Sequence, residues 1–148
     1  MKETANIFYP NKNSVQAFAF QSNFNSVYAL ETLLKKIKKQ ISLPSPIYCN
    51  ICISVIEAIS NAIIHGNKFD KEKKVYLFIQ VKQNDWICFT IKDEGNGFDF
   101  ESMPESIAET NEKKPYGRGL YFMKNLANLT FFSEKGTAVD LYFKLNAT

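Results

Sequence analysis

Five polar residues, Asn50, Ser54, Glu57, Asn61 and His65, stand at offsets 0, 4, 7, 11 and 15 in a segment otherwise dominated by Ile, Val, Ala and Cys. A helix turns once every 3.6 residues, so the five fall on one stripe of an apolar rod. A rod of that composition is expected to be buried, and a buried polar group without a partner costs free energy. An ordinary solvated face would carry Lys and several Glu. This stripe holds one carboxylate among amides, a hydroxyl and an imidazole, so it is expected to face something polar.

Two glycine segments follow. DEGNG, Asp93–Gly97, comes directly after a predicted strand, which leaves the Asp93 carboxylate available at the strand's end. Gly95 and Gly97 permit positive φ or a close backbone approach to a ligand. Alone, the segment also fits an ordinary turn. An EF-hand is excluded, because glycine or phenylalanine occupies positions that need oxygen. YGRGLYF, around Gly117–Gly119, opens a predicted helix, whose free N–H groups and dipole favour a phosphate. It is neither a Walker A loop nor a dinucleotide fingerprint. An E-x-x-x-N helix, then D-x-G-x-G after a strand, then G-x-G at a helix start together fit a pocket for ATP and a metal ion.

The elements that must position these residues form one continuous unit. Val15–Gln21 alternates as a strand. Asn25 or Ser26 can cap a helix in which Val27, Leu30, Leu34, Ile37 and Ile41 recur at helical spacing. Pro44 and Pro46 break it, and the polar-stripe helix is expected from about Ile47 to His65, with Gly66 as its stop. Val75–Lys82 and Trp86–Lys92 alternate around Gln83-Asn84-Asp85 as a hairpin. Phe98–Tyr116 has no sustained period and reads as a long loop, a length that is usually functional inside compact domains. Leu120–Leu129 reads as a third helix, Thr130–Glu134 and Thr137–Leu145 as strands. The order β-α-α-β-β-loop-α-β-β implies an α+β fold, helices on one face of a mixed, mostly antiparallel sheet.

Composition bounds the rest. At 148 residues the chain is expected to be a single domain with its own core, and 45% hydrophobic content with 13 Phe excludes disorder. No apolar run is expected to span a membrane and MKETANIFYP does not read as a signal peptide, so the expected location is cytoplasmic. Three Cys fit that compartment. Cys49 and Cys52 form a CxxC, but a closed zinc site would need Cys88 and His65 as well, so the three are expected to be small core residues. The net charge of +3 is modest, and its lysine clusters read as solvated helix ends and loops, not a nucleic-acid surface.

The three segments, in this order, resemble the GHKL superfamily of ATPases and kinases, whose shared Bergerat fold is found in gyrase, mismatch-repair ATPases and sensor histidine kinases. The resemblance covers roughly Ser54 to Leu145. EAISNAIIHGN, DEGNGFD and GRGLYFM are most similar to the anti-sigma-factor serine kinase branch. Histidine-kinase domains share the glycine boxes but usually lack the Glu four residues ahead of the Asn, and the only His here lies inside the motif.

The resemblance implies a two-layer α/β sandwich with an ATP lid at about 98–116. It makes Asn61 the Mg²⁺ ligand and Glu57 the general base for an attacking hydroxyl. Asp93 would accept from the adenine amino group, with Gly95 and Gly97 beside it and Thr137 reaching the base. Gly117, Arg118, Gly119 and Leu120 would wrap the phosphates, with Arg118 as a charge partner. His65 and Asn67 would face the lid or the phosphates, although His65 equally suits a helix-end cap. Relatives commonly carry two glycines around the Thr, where this chain has Glu134-Lys135-Gly136-Thr137. The implied function is a protein-serine kinase that holds a sigma factor and phosphorylates a Ser/Thr of a STAS-like antagonist, with a homodimer possible. Two alternatives are an ATP-dependent binding module or a stand-alone histidine-kinase-like ATPase domain with little transfer, and an accidental match on a scaffold.

Overall fold

The computed structural model of the chain describes residues 14–82, 85–97 and 123–146. Five strands form one sheet: β1 Val15–Gln21, β2 Lys74–Lys82, β3 Trp86–Lys92, β4 Leu129–Phe132 and β5 Ala138–Lys144, in spatial order β1-β2-β3-β5-β4. Every pairing among the described residues is antiparallel, which narrows the mixed sheet expected from the element order. Strict alternation in β2, with Val75, Leu77, Ile79 and Val81 buried and their neighbours not, explains why this run pairs as a half-covered strand. Gln83 and Asn84 lie outside the described residues; Asp85 takes the left-handed conformation at φ 62° that the hairpin turn needs.

Two helices cover one face. α1, Asn25–Gln40, turns Leu30, Leu33, Leu34 and Ile37 inward. Neither Asn25 nor Ser26 caps it. Phe24 is the N-cap residue, the Asn23 side chain accepts from the Asn25 N–H at 3.0 Å, and Ser26 Oγ donates back to the Gln21 carbonyl at 2.7 Å. The hydroxyl thus ties the helix start to the end of β1 instead of satisfying a free helix N–H. α1 ends before the prolines, with Ser42 left-handed at φ 52°.

α2 runs Ser45–Asn61, starting two residues earlier than expected because Pro46 sits in the first turn, where no N–H is needed. It continues into a π-helical turn at Ala62–Gly66. The resulting 22-residue helix is long and apolar enough to cross a membrane, contrary to the expectation that no run would be. Here it is the core helix: Ile51, Val55, Ile59 and Ile63 meet Leu77, Ile79, Phe89, Leu141 and Phe143 of the sheet in one cluster. The third helix is described only at 123–126, and the chain is extended again by Leu129, so the expected end at Leu129 was too late. The position of Cys49 is also corrected. It is exposed and Cys52 half-buried beside Tyr48, while Cys88 is buried as expected.

Candidate functional site

A cavity of about 250 Å³ lies between the C-terminal half of α2 and the inner face of β3 and β5. Its walls are mostly apolar: Ala58 and Ala62 from the helix, Ile91 and Val139 from the strands, Met123 and Phe132 at the far side. Its polar groups are few, namely Asn61, His65, Asp93 and Thr137. Apolar walls with a few converging polar groups are the usual make-up of a ligand pocket, and this volume is small for one (about 300–1,000 Å³), which suits a flat base better than a whole nucleotide.

Asp93 follows the last residue of β3. Its backbone N–H donates to the Thr137 carbonyl at 2.9 Å, tying the end of β3 to the turn before β5. Its side chain is 9% exposed and Oδ1 accepts the Gly95 N–H at 2.8 Å. Burial pushes the carboxyl above its ordinary pKa, while the Gly95 N–H and the charge of Lys73 pull it back. A buried carboxylate in an apolar cavity is a strong acceptor for a ligand N–H.

Asn61 is the second polar group of the cavity. It lines the cavity, and its Nδ2 is buried without a hydrogen-bond partner among the described residues. A buried unmade donor is costly, so such a group in a cavity marks where a polar ligand belongs. His65, in the π turn, also lines the cavity, and burial lowers its pKa, which favours the neutral imidazole. The single-stripe expectation holds only for the C-terminal part of the helix. Ser54 is fully buried, and neither it nor Asn50 lines the cavity. Glu57, one turn before Asn61, is half-buried and outside the cavity lining.

The glycines make room for other parts of the chain: Gly66 for the Asp93 side chain, Gly95 and Gly97 for backbone carbonyls. A Cβ on Gly66 would overlap the Asp93 carboxylate, one on Gly95 would overlap the Gly66 carbonyl, and one on Gly97, at φ +84°, would overlap the Lys135 carbonyl. Gly97 still lines the cavity, whereas Gly95 lines a neighbouring polar cleft of about 420 Å³ that shares His65, Gly66 and Gly97 with it. The turn that carries a second glycine in the resembled family is closed here by Lys135 in the left-handed conformation at φ 61°, followed by Gly136 at φ 73°. Asn67 corrects its expected ligand role. It is 1% exposed, its Nδ2 donates to Ser22 Oγ and the Lys74 carbonyl at 3.0 Å each, and its Oδ1 accepts the Glu94 N–H at 2.8 Å. It binds the ends of β1, β2 and β3 together and has nothing left for a phosphate.

Gly117, Arg118, Gly119, Leu120 and the lid at about 98–116 lie outside the described residues. The cavity's apolar walls were missed in the sequence, though Ala58 and Ala62 flank Asn61 on one helix face, a signal of small residues making room beside an amide.

A helical layer on an antiparallel sheet, with an amide on the helix and a carboxylate at a strand end meeting in one cavity, defines a nucleotide-pocket architecture. The chain belongs to the histidine kinase-like ATPase domain family, whose model matches residues 20–143. Among known proteins, the chain is 34% identical over 92 residues to the anti-sigma F factor of Bacillus subtilis, a match covering 59% of this chain and 62% of that relative. It is 32% identical over 104 residues to the anti-sigma F factor of Clostridium perfringens, covering 66% and 72%. Among solved structures, the RsbU and RsbW domains of a Mycobacterium tuberculosis protein superpose with a TM-score of 0.62 at 13% identity, over 92% of this chain and 34% of that one. The histidine kinase domain of a blue-light-activated kinase from Erythrobacter litoralis gives 0.53 at 18% identity, over 80% and 60%. These two likenesses concern the fold.

Proposed function

We propose that this chain binds ATP in the α2–β3–β5 cavity and is a protein-serine kinase of the anti-sigma-factor kind. The observation that carries the reading is the pairing of a buried, raised-pKa Asp93 with the Asn61 amide, whose buried Nδ2 has no partner among the described residues, across one cavity. Asp93 accepts from the adenine amino group, and Thr137, whose carbonyl holds the Asp93 backbone, borders the base. Asn61 suits a hard ion. Its side-chain oxygen is a neutral donor of the type Mg²⁺ takes singly alongside phosphates, and its Nδ2 is left to donate to a phosphate or water. Mg²⁺ bound there would neutralise charge on the phosphates. Gly117, Arg118, Gly119 and Leu120 are proposed for the phosphates.

In the transfer step the oxygen of a partner Ser or Thr hydroxyl bonds to the γ-phosphorus, the bond to the β,γ-bridging oxygen breaks, and ADP leaves. Glu57, one turn before Asn61, takes the hydroxyl proton. The relatives named anti-sigma F factor support a sigma factor as the bound partner. The same proposal includes a cytoplasmic location, a Ser-bearing antagonist as phosphoacceptor and a homodimer as the assembled form. The position of Glu57 outside the cavity lining favours one second reading, an ATP-dependent binding module without transfer. Incubation with γ-labelled ATP and the Ser-bearing antagonist-like protein decides. Label on the partner's Ser supports the kinase, and tight ATP binding with no label supports the module.

A further inference from the structure

Asn96 and Gly97 are the chain's only Asn-Gly pair, and they follow β3 in the segment that carries Asp93. Asn96 is exposed and lines the polar cleft of about 420 Å³, whereas half-buried Gly97 lines both that cleft and the cavity. Neither the Asn96 side chain nor the Gly97 N–H makes a hydrogen bond among the described residues. An Asn side chain can close a five-membered ring on the backbone nitrogen of the next residue, and a side chain on that residue is the usual obstacle. Glycine presents none. No other residue fits here, because a Cβ on Gly97, at φ +84°, would overlap the Lys135 carbonyl. The fit that requires glycine at 97 therefore leaves Asn96 beside an unshielded backbone nitrogen.

We propose that Asn96-Gly97 is a self-modification site, at which the chain converts Asn96 to aspartate and isoaspartate without an enzyme and so ages its own nucleotide cavity. The Gly97 nitrogen gives its proton to hydroxide and bonds to the Asn96 side-chain carbonyl carbon. The bond from that carbon to Nδ2 breaks, and Nδ2 leaves as ammonia from a five-membered cyclic imide. Water then opens the ring. Opening at the side-chain carbonyl gives an ordinary aspartyl link. Opening at the main-chain carbonyl gives isoaspartate, whose backbone runs through the former side chain. The net reaction consumes a water and releases an ammonia. The cleft supplies the water: Lys68, Asp70 and Lys73 line it with Asn96, and their polar groups keep it wet.

Both products add a negative charge three residues after Asp93, and isoaspartate also adds a main-chain atom. Gly97 has no slack to absorb that atom. It packs on the Lys135 carbonyl, in the turn that leads to Thr137, whose own carbonyl accepts the Asp93 N–H at 2.9 Å. The longer backbone therefore pushes the loop against that turn and alters the end of the cavity where Asp93 and Thr137 meet. Weakened nucleotide binding as the consequence rests on the ATP reading above. The covalent change does not.

The test incubates the freshly purified full chain in warm, mildly alkaline buffer beside an Asn96→Ser variant shown to be folded by circular dichroism. Intact mass, peptide mapping and methylation by protein isoaspartyl methyltransferase follow the chemistry. The parent should gain the unit mass of amide-to-acid conversion at Asn96 ahead of every other Asn, with isoaspartate there, and the variant should show neither. Ageing should lower the parent's denaturant midpoint and weaken its ATP binding at least about tenfold, while the variant keeps both through the same incubation. No mass gain at Asn96, or an equal overall gain in Asn96→Ser, overturns the proposal. So does modification at Asn96 that leaves the denaturant midpoint unchanged or, in protein that binds ATP when fresh, the affinity unchanged. Fresh protein that fails to bind ATP, yet is modified at Asn96 and loses stability, would sink the ATP reading and leave this one standing.

Discussion

Gly66 lies so close to Asp93 that a single methyl group on it would overlap the carboxylate. The helix that carries Asn61 and the strand end that carries Asp93 are therefore in contact at a point only glycine permits. The contact sets the width of the cavity on that side. Gly66→Ala should either displace the π turn or push Asp93 aside, costing about 1–3 kcal/mol as overpacking usually does. Chemical denaturation would show the loss, and calorimetry would show ATP binding weakened with it. Unchanged stability and binding would mean the turn yields freely.

Asp93→Asn should lose roughly 1.5–3 kcal/mol of ATP affinity, the range for a hydrogen bond to a charged group. The same change should leave the ligand-free fold more stable at neutral pH. The folded pKa of Asp93 is raised by burial, so between the unfolded and folded pKa values the folded chain holds a proton that the unfolded chain has already released. Asp93 thus lowers stability as pH rises from the ordinary aspartate pKa through the raised one. The advantage of the variant should appear above that window and close below it. Thermal melts across pH, with calorimetry at one pH, separate the two effects.

Asn61→Ala should make ATP binding insensitive to Mg²⁺ while binding persists through the base. Stability should not fall, because the substitution removes a buried donor that has no partner among the described residues. Titrations with Mg²⁺ and with chelator test this, and a full Mg²⁺ effect in the variant would place the ion elsewhere.

Glu57→Gln keeps size and hydrogen-bonding capacity but cannot take a proton. Phosphoryl transfer should fall by about 10²–10⁴, toward the lower end if the transition state is loose. ATP affinity should hold, since Glu57 stands outside the cavity lining. A variant that transfers as well as the parent would remove Glu57 as base.

Lys135→Gly should stabilise the chain by up to about 1 kcal/mol, because Lys135 is held left-handed at φ 61° where glycine carries no Cβ penalty. The gain is expected in denaturant midpoints, and a destabilised variant would show that the Lys135 side chain is itself needed in the turn.

Much of this protein is determined locally and was legible before any coordinates. Period 2 in β2 and β3, the helical recurrence of Leu30, Leu34 and Ile37, and Asp93 at a strand end all depend on neighbours within a few residues. So did Asn61 and His65, one helix turn apart on the same side. Tertiary structure alone decided what those residues meet. Whether Gly66, Gly95 and Gly97 make room for a ligand or for another part of the chain depends on partners 27 to 38 positions away, at Asp93, Gly66 and Lys135. Asn67 looked like part of the site and is a clamp on three strand ends, because its partners Ser22, Lys74 and Glu94 come together only when the sheet forms. Ser54 shares a stripe with Asn61 yet faces the core, because the cavity opens only along the last turns of α2. Spacing along a chain sets which side chains share a face. What that face meets depends on long-range packing, which leaves no local signal.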